Sequence, residues 1–220
     1  MGQTTLLATC RARLRQAGHD PLHLCDENLL FQLKGADTTH AHHYHPHGDH
    51  RFAFRDGYLF DEGLRRISNT ALATIQTGSP TLLLVELARG TAQPPVDVTW
   101  RRALELIDPR IWPHSLVFRL EAPVHIQLDR NRHRTTDGQP HTPEQILRSL
   151  YANDDPQSLT SAGIGVHPIP HTMAPDQAAS QVINTIDRTT AMRRCHQTAT
   201  ALQRAAPTPA YWPPEIASSA

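Results

Sequence analysis

The stretch TLLLVELARG, residues 81 to 90, limits the fold more than any other part of the sequence. Leu82 to Val85 is apolar without alternation, the pattern of a strand covered on both faces, and such strands belong to parallel sheets flanked by helices. Parallel neighbours need a crossover of a dozen or more residues between them. The segments around this run should therefore carry helices, and their periodicity agrees.

Leu6, Leu7, Cys10, Leu14 and Ala17 recur at helical spacing over residues 4–17, and Gly18 suits the stop. PLHLC, residues 21–25, reads as a short strand, and DENLLFQLKG as a helix that Asp26 is placed to cap. Residues 36–50, ADTTHAHHYHPHGDH, have no apolar period and read as a loop. Leu64, Ile67, Ala71 and Ile75 mark a long amphipathic helix over 59–77, ended by GSP. TWRRALELID is a short helix with Trp100, Leu104 and Ile107 on one face; HSLVFRLEAP is a strand; Pro123 opens the helix that carries LDRNRHR. Thr142, Pro143 and Gln145 form a helix-start pattern. GIGVHPIPHT is a last strand, followed by a helix from about Pro175 to Arg204 and a Pro-rich tail over 207–220. Four strands alternating with helices imply an α/β fold, three layers deep, with a parallel sheet. One domain over 1–206 is the expected organisation, with a His-rich loop at 36–57 and a lid-like segment at 130–155.

Lysine plus arginine equal aspartate plus glutamate at 21 each, so no global field favours nucleic acid or an anionic membrane. Cys10, Cys25 and Cys195 are too few and too scattered for a disulfide framework. No apolar run reaches membrane-span length, and Arg11, Arg13 and Arg15 fall within a helical pattern rather than a signal-peptide layout. The expectation is a cytoplasmic protein whose partner is a small molecule, with no nucleic acid and no membrane; the oligomeric state is open.

With these elements in order, the chain resembles the P-loop kinases of the nucleotide-kinase and adenylylsulfate-kinase type over most of residues 2–200. Gly2-Gln3-Thr4-Thr5 stands where G-K-[ST]-[ST] closes a phosphate loop, LHLCDENLL resembles the second strand with its acceptor-side acid, LLLVELARG resembles the Walker B strand, and LDRNRHR resembles the start of a lid. The resemblance implies ATP-dependent phosphoryl transfer to a small acceptor, with ATP and Mg²⁺ as cofactors. It implies phosphate contacts from Gly2, Gln3, Thr4 and Thr5, a Mg²⁺ ligand in Thr4, and Glu86 acting on Mg²⁺ through water. It also gives Asp26 an acceptor-positioning or base role and makes Arg130 and Arg134 lid cations, with Arg132 on another face. Gln3 replaces the loop lysine, no other lysine than Lys34 exists, and the first strand with the first loop glycine does not precede Gly2. Weak binding of MgATP is therefore expected, and a non-catalytic P-loop-derived binding protein is the alternative.

His40, His42, His43, His45, His47 and His50, with Asp49, form the densest group of metal-ligating side chains in the sequence. Imidazoles hold Zn²⁺, Ni²⁺ or Cu²⁺, so a His-rich metal-binding protein is a further alternative. Pro46 and Gly48 within the tract argue for a segment whose metal binding is not coupled to folding.

Overall fold

The computed structural model describes residues 3–37, 43–47, 51–77, 82–136, 144–151 and 153–205. In chain order the elements are α1 (Gln3–Gln16), β1 (Leu22–Cys25), α2 (Asp26–Ala36), β2 (Tyr44–His47), β3 (Arg51–Phe54), α3 (Tyr58–Gln76) and β4 (Leu83–Glu86). They continue with β5 (Ala92–Gln93), β6 (Val96–Asp97), α4 (Trp100–Leu106), β7 (Val117–Glu121) and α5 (Val124–Thr136). Last come α6 (Glu144–Ile146), running into a π-helical turn (Leu147–Tyr151), then α7 (Gln157–Ser161), β8 (Val166–Pro170) and α8 (Pro175–Ala205). The chain divides into two compact units, residues 1–182 and 183–220. In the second, the Thr189 hydroxyl donates to the Thr185 carbonyl at 2.8 Å. The expected tail over 207–220 and the helix-start residues Thr142 and Pro143 lie outside the described residues.

The first unit is α/β, and its parallel strands come in two separate pairs. β1 lies beside β4 with Leu22 opposite Leu83 and Cys25 opposite Glu86. β7 lies beside β8 with Val117 opposite Val166 and Glu121 opposite Pro170. Among the described residues no strand joins β4 to β7. The apolar run therefore departs from expectation: Leu83, Leu84 and Val85 are half-buried rather than enclosed, as are all five residues of β7. A strand paired along only one edge leaves part of its apolar surface uncovered.

Two buried clusters hold the unit together. α3 sets Leu64 and Ala71 against Trp100, Ala103 and Ile107 of the α4 region and Leu159 of α7, with Leu83 and Val117 packed at the margin. Truncating a side chain as enclosed as Leu64 to alanine costs about 2–5 kcal/mol. The second cluster joins Phe60, Val96, Val98 and Leu150, flanked by Leu30, Phe54 and Tyr151. It explains why the short β5–β6 hairpin and the 147–151 turn sit on α3. α1 buries Leu6, Cys10 and Leu14, and its Arg13 reaches Asp176 at 2.9 Å and Ser180 at 2.5 Å. Gly18 ends that stretch with φ +84°, a conformation glycine adopts without a Cβ penalty.

The segment read as a loop contains an antiparallel hairpin, with Tyr44 opposite Phe54 and His47 opposite Arg51. Its base is fixed by polar contacts. The His43 amide donates to Asp37, the His43 ring meets the Asp56 carboxylate at 2.9 Å and stacks on Tyr58 at 4.2 Å, and the Arg55 amide donates to the His43 carbonyl. These contacts stand in for the apolar periodicity that the segment lacks. Lys34 Nζ lies 5.4 Å from the Tyr44 ring centroid. Among the described residues no group of three or more His, Cys, Asp or Glu side chains is placed to hold a metal ion. His40, His42, Asp49 and His50 lie outside them.

Candidate functional site

β1 and β4 run parallel and in register, so both carboxyl ends open at one level: Asp26 directly follows Cys25, and Leu87 to Arg89 follow Glu86. In open α/β sheets the crevice outside the carboxyl ends of the strands is where ligands bind. The two acids singled out from the sequence, Asp26 and Glu86, are thereby brought together.

Asp26 does not cap α2. Cys25 occupies the cap position with extended backbone and makes no side-chain cap bond. The Asp26 carboxylate instead turns toward the loop after β4, where its Oδ2 accepts from the Ala88 amide at 2.8 Å and from Arg89 Nη2 at 2.6 Å. Both side chains are enclosed, with 3% of Arg89 and 13% of Asp26 exposed. Burial pushes the Asp26 carboxyl up, against the opposing charge and hydrogen bond of Arg89.

Glu86 is raised for the same first reason, burial; His23 works against the shift, and the charge of Asp26 adds to it. The His23 Nε2 atom lies 3.6 Å from Glu86, too far for a hydrogen bond, and is buried with no other partner. Cys25 stands between the two acids, its thiol pushed up to about 11 mainly by burial. It is a packed thiol rather than a nucleophile. Two carboxyls with raised proton affinity on neighbouring strand ends can take up and release protons nearer to neutral pH than ordinary acids do.

Arg89 is the feature that sequence reasoning missed. Its Nε and Nη1 atoms are buried and have no hydrogen-bond partner, so Asp26 satisfies only one corner of the guanidinium. A buried polar group left unsatisfied costs about 1–3 kcal/mol. The signal was present in the sequence: an arginine directly after an apolar parallel strand and directly before a glycine.

The 147–151 turn closes over this loop. The Leu150 carbonyl approaches Gly90 so closely that a Cβ there would lie 1.7 Å from its oxygen. The Thr91 amide donates to the Leu150 carbonyl at 2.8 Å, and the Thr91 hydroxyl donates to the Ser149 carbonyl at 2.9 Å. Tyr151, at the end of the turn, has its hydroxyl pushed up by burial and secondarily by the Asp26 charge.

Of the other residues singled out from the sequence, Thr5, Arg130 and Arg132 have described side chains. Thr5 is exposed on the first turn of α1, where its carbonyl accepts from the Thr9 hydroxyl at 2.9 Å. Gly2 lies outside the described residues, as do the side chains of Gln3, Thr4 and Arg134. Arg130 is half-buried on α5. Arg132, read as pointing away from the lid face, donates to both oxygens of Glu144 at 3.2 Å, while Arg148 holds Glu144 Oε1 at 2.7 Å. Those bonds tie α5 to the start of the segment that ends in the 147–151 turn. Among the described residues no helix is long and apolar enough to cross a membrane. Compared with known proteins, the sequence matches no family model and no curated protein.

Proposed function

We propose that the chain belongs to a phosphotransferase of the P-loop kinase type, which moves a phosphoryl group from ATP to a small-molecule acceptor. The observation that carries this reading is the divided sheet. β1 pairs with β4, β7 pairs with β8, and β4 and β7 each have one edge with no strand beside it among the described residues. That is the arrangement expected of such a kinase without the central strand that leads into its phosphate loop. Asp26 and Glu86 support it as two acids of raised proton affinity at the carboxyl ends of adjoining strands.

MgATP fits this chain in part. α1 carries no acidic residue in its first turn, so the amide groups there suit a phosphate, but no lysine adds a point charge. When bound, MgATP would supply the phosphoryl group and the divalent charge; Thr4 and Thr5 would contact it, and Glu86 would act through water. Asp26 would position the acceptor, with Arg130 and Arg134 offsetting charge on closure.

Calorimetry tests the reading. This chain should bind MgATP weakly, and a form extended at its N-terminus by a strand and a G-x-x-x-x-G loop should bind at least about tenfold more tightly. Equal affinities for the two forms would count against a missing phosphate cradle. In the extended form, Arg130→Ala or Arg134→Ala should lower kcat by about tenfold with KM for ATP nearly unchanged. Arg132→Ala should instead loosen the Glu144 contact and change both constants.

A further inference from the structure

We infer that Arg89 is the anchor of an oxyanion-binding site under the 147–151 turn, taking a phosphate or carboxylate group through the N–H donors that Asp26 leaves open. Three observations carry it. Arg89 is 3% exposed, and two of its three nitrogens are buried without a partner. Both two-donor edges of a guanidinium, Nε with Nη2 and Nη1 with Nη2, share Nη2, and Nη2 keeps a second N–H beyond its bond to Asp26, so an unpartnered nitrogen together with that N–H can meet the paired oxygens of a phosphate or carboxylate. Arg89 lies in the loop after β4, at the carboxyl end of a parallel pair, where the fold opens toward a ligand.

Asp26 contributes orientation. Its Oδ2 is itself fixed by the Ala88 amide at 2.8 Å, so the guanidinium is pinned at Nη2 and cannot turn its free donors toward the carboxylate. The Leu150 carbonyl rests on Gly90 and is held by the Thr91 amide, so the turn forms the cover of the site. An entering anion displaces a cover held to Thr91 by two strong hydrogen bonds and gains a desolvated cation. Water alone would be a poor exchange for a full guanidinium, because Arg keeps its charge at every accessible pH.

The oxyanion site stands on these contacts alone; giving it to the phosphoryl acceptor, which would then be an anionic small molecule, rests on the function proposed above. The test therefore leaves ATP out. The full chain, ¹⁵N-labelled at arginine, is titrated with inorganic phosphate, with acetate and with chloride while the Arg89 Nε–H signal is followed by NMR, assigned by its loss in Arg89→Lys. Saturable movement with phosphate alone assigns a phosphate site, movement with acetate alone a carboxylate site, and movement with both a general oxyanion site. Arg89→Lys, which keeps the charge and loses the paired donors, should weaken the binding by about tenfold or more in calorimetry. If that variant does not fold, through-bond assignment on the unaltered chain gives the same answer. A signal unmoved by either anion, or moved equally by chloride, overturns the inference. Loss of ATP binding leaves these outcomes unchanged, so failure here and failure of the kinase reading are told apart.

Discussion

Arg89 and Arg119 make an instructive pair. Arg119, on β7, spends every nitrogen: Nε and Nη2 grip the two oxygens of Asp154 at 2.9 and 2.8 Å, and Nη1 donates to Glu121 at 2.5 Å. It does so with 31% of its side chain in solvent. Arg89, at 3% exposure, has one side-chain partner and two idle nitrogens. If both arginines served only to hold the fold, the buried one should be the better satisfied, since desolvated donors are the costly ones. The order is reversed. A saturated guanidinium near the surface fastens two segments together, whereas an enclosed and unsaturated one is held ready for something that arrives later.

The largest expected effect follows from removing each cation. Arg89→Met strands a buried carboxylate and should cost about 3–5 kcal/mol in urea unfolding, while Arg119→Met should cost about 1 kcal/mol. Equal losses would break the comparison. The pH course sharpens it. Burial raises the Asp26 carboxyl, so the stability it contributes is present below the unfolded value of about 4 and is lost as pH rises through the folded value. Without the Arg89 charge the folded value rises further, and the deficit of Arg89→Met should grow from about pH 4 toward neutrality.

Next in size, the double variant Asp26→Asn with Arg89→Met should regain most of what the single variant loses, because it leaves no buried charge without a partner. No recovery would mean that Arg89 stabilises through packing alone. Gly90→Ala comes third. With 1.7 Å between the new Cβ and the Leu150 oxygen, the 147–151 turn has to shift, at a cost of about 1–3 kcal/mol, and hydrogen exchange at the Thr91 amide should speed up. An unchanged exchange rate would show that the turn is not what covers Arg89. The smallest effect belongs to Asp108, whose carboxyl the Arg110 hydrogen bonds hold down at about 2. Its contribution is present above about pH 4 and lost as pH falls through the folded value. Asp108→Asn should therefore flatten the stability profile only below about pH 4, a reference from an ion pair that involves neither Arg89 nor Arg119.

The α/β alternation was legible because it is written in local periods: α3 in Leu64, Ile67 and Ala71, β4 in Leu83 to Val85. The β2–β3 hairpin was not, because its base is fixed by the His43–Asp56 contact and ring stacking on Tyr58 rather than by alternating apolar residues. Hairpin β5–β6, with two residues in each strand, is too short for any period to register. Asp26 and Glu86 could be named as acids at strand ends, but the bond from Arg89 to Asp26 joins residues 63 apart. The helix-cap role for Asp26 fails for the same reason: a local pattern competes with a long-range charge, and in a buried setting the charge wins.

The half-open sheet also bears on how the protein behaves in company. Leu83, Leu84 and Val85 are apolar, only partly covered, and end a strand pair with an edge that no described strand occupies. An apolar edge of that kind offers its amide and carbonyl row to any other extended chain, including a neighbouring copy of itself. The segment that directs the fold is thus also the one by which crowded copies would stick to one another, and light scattering at rising concentration should respond first to a charge placed at position 84.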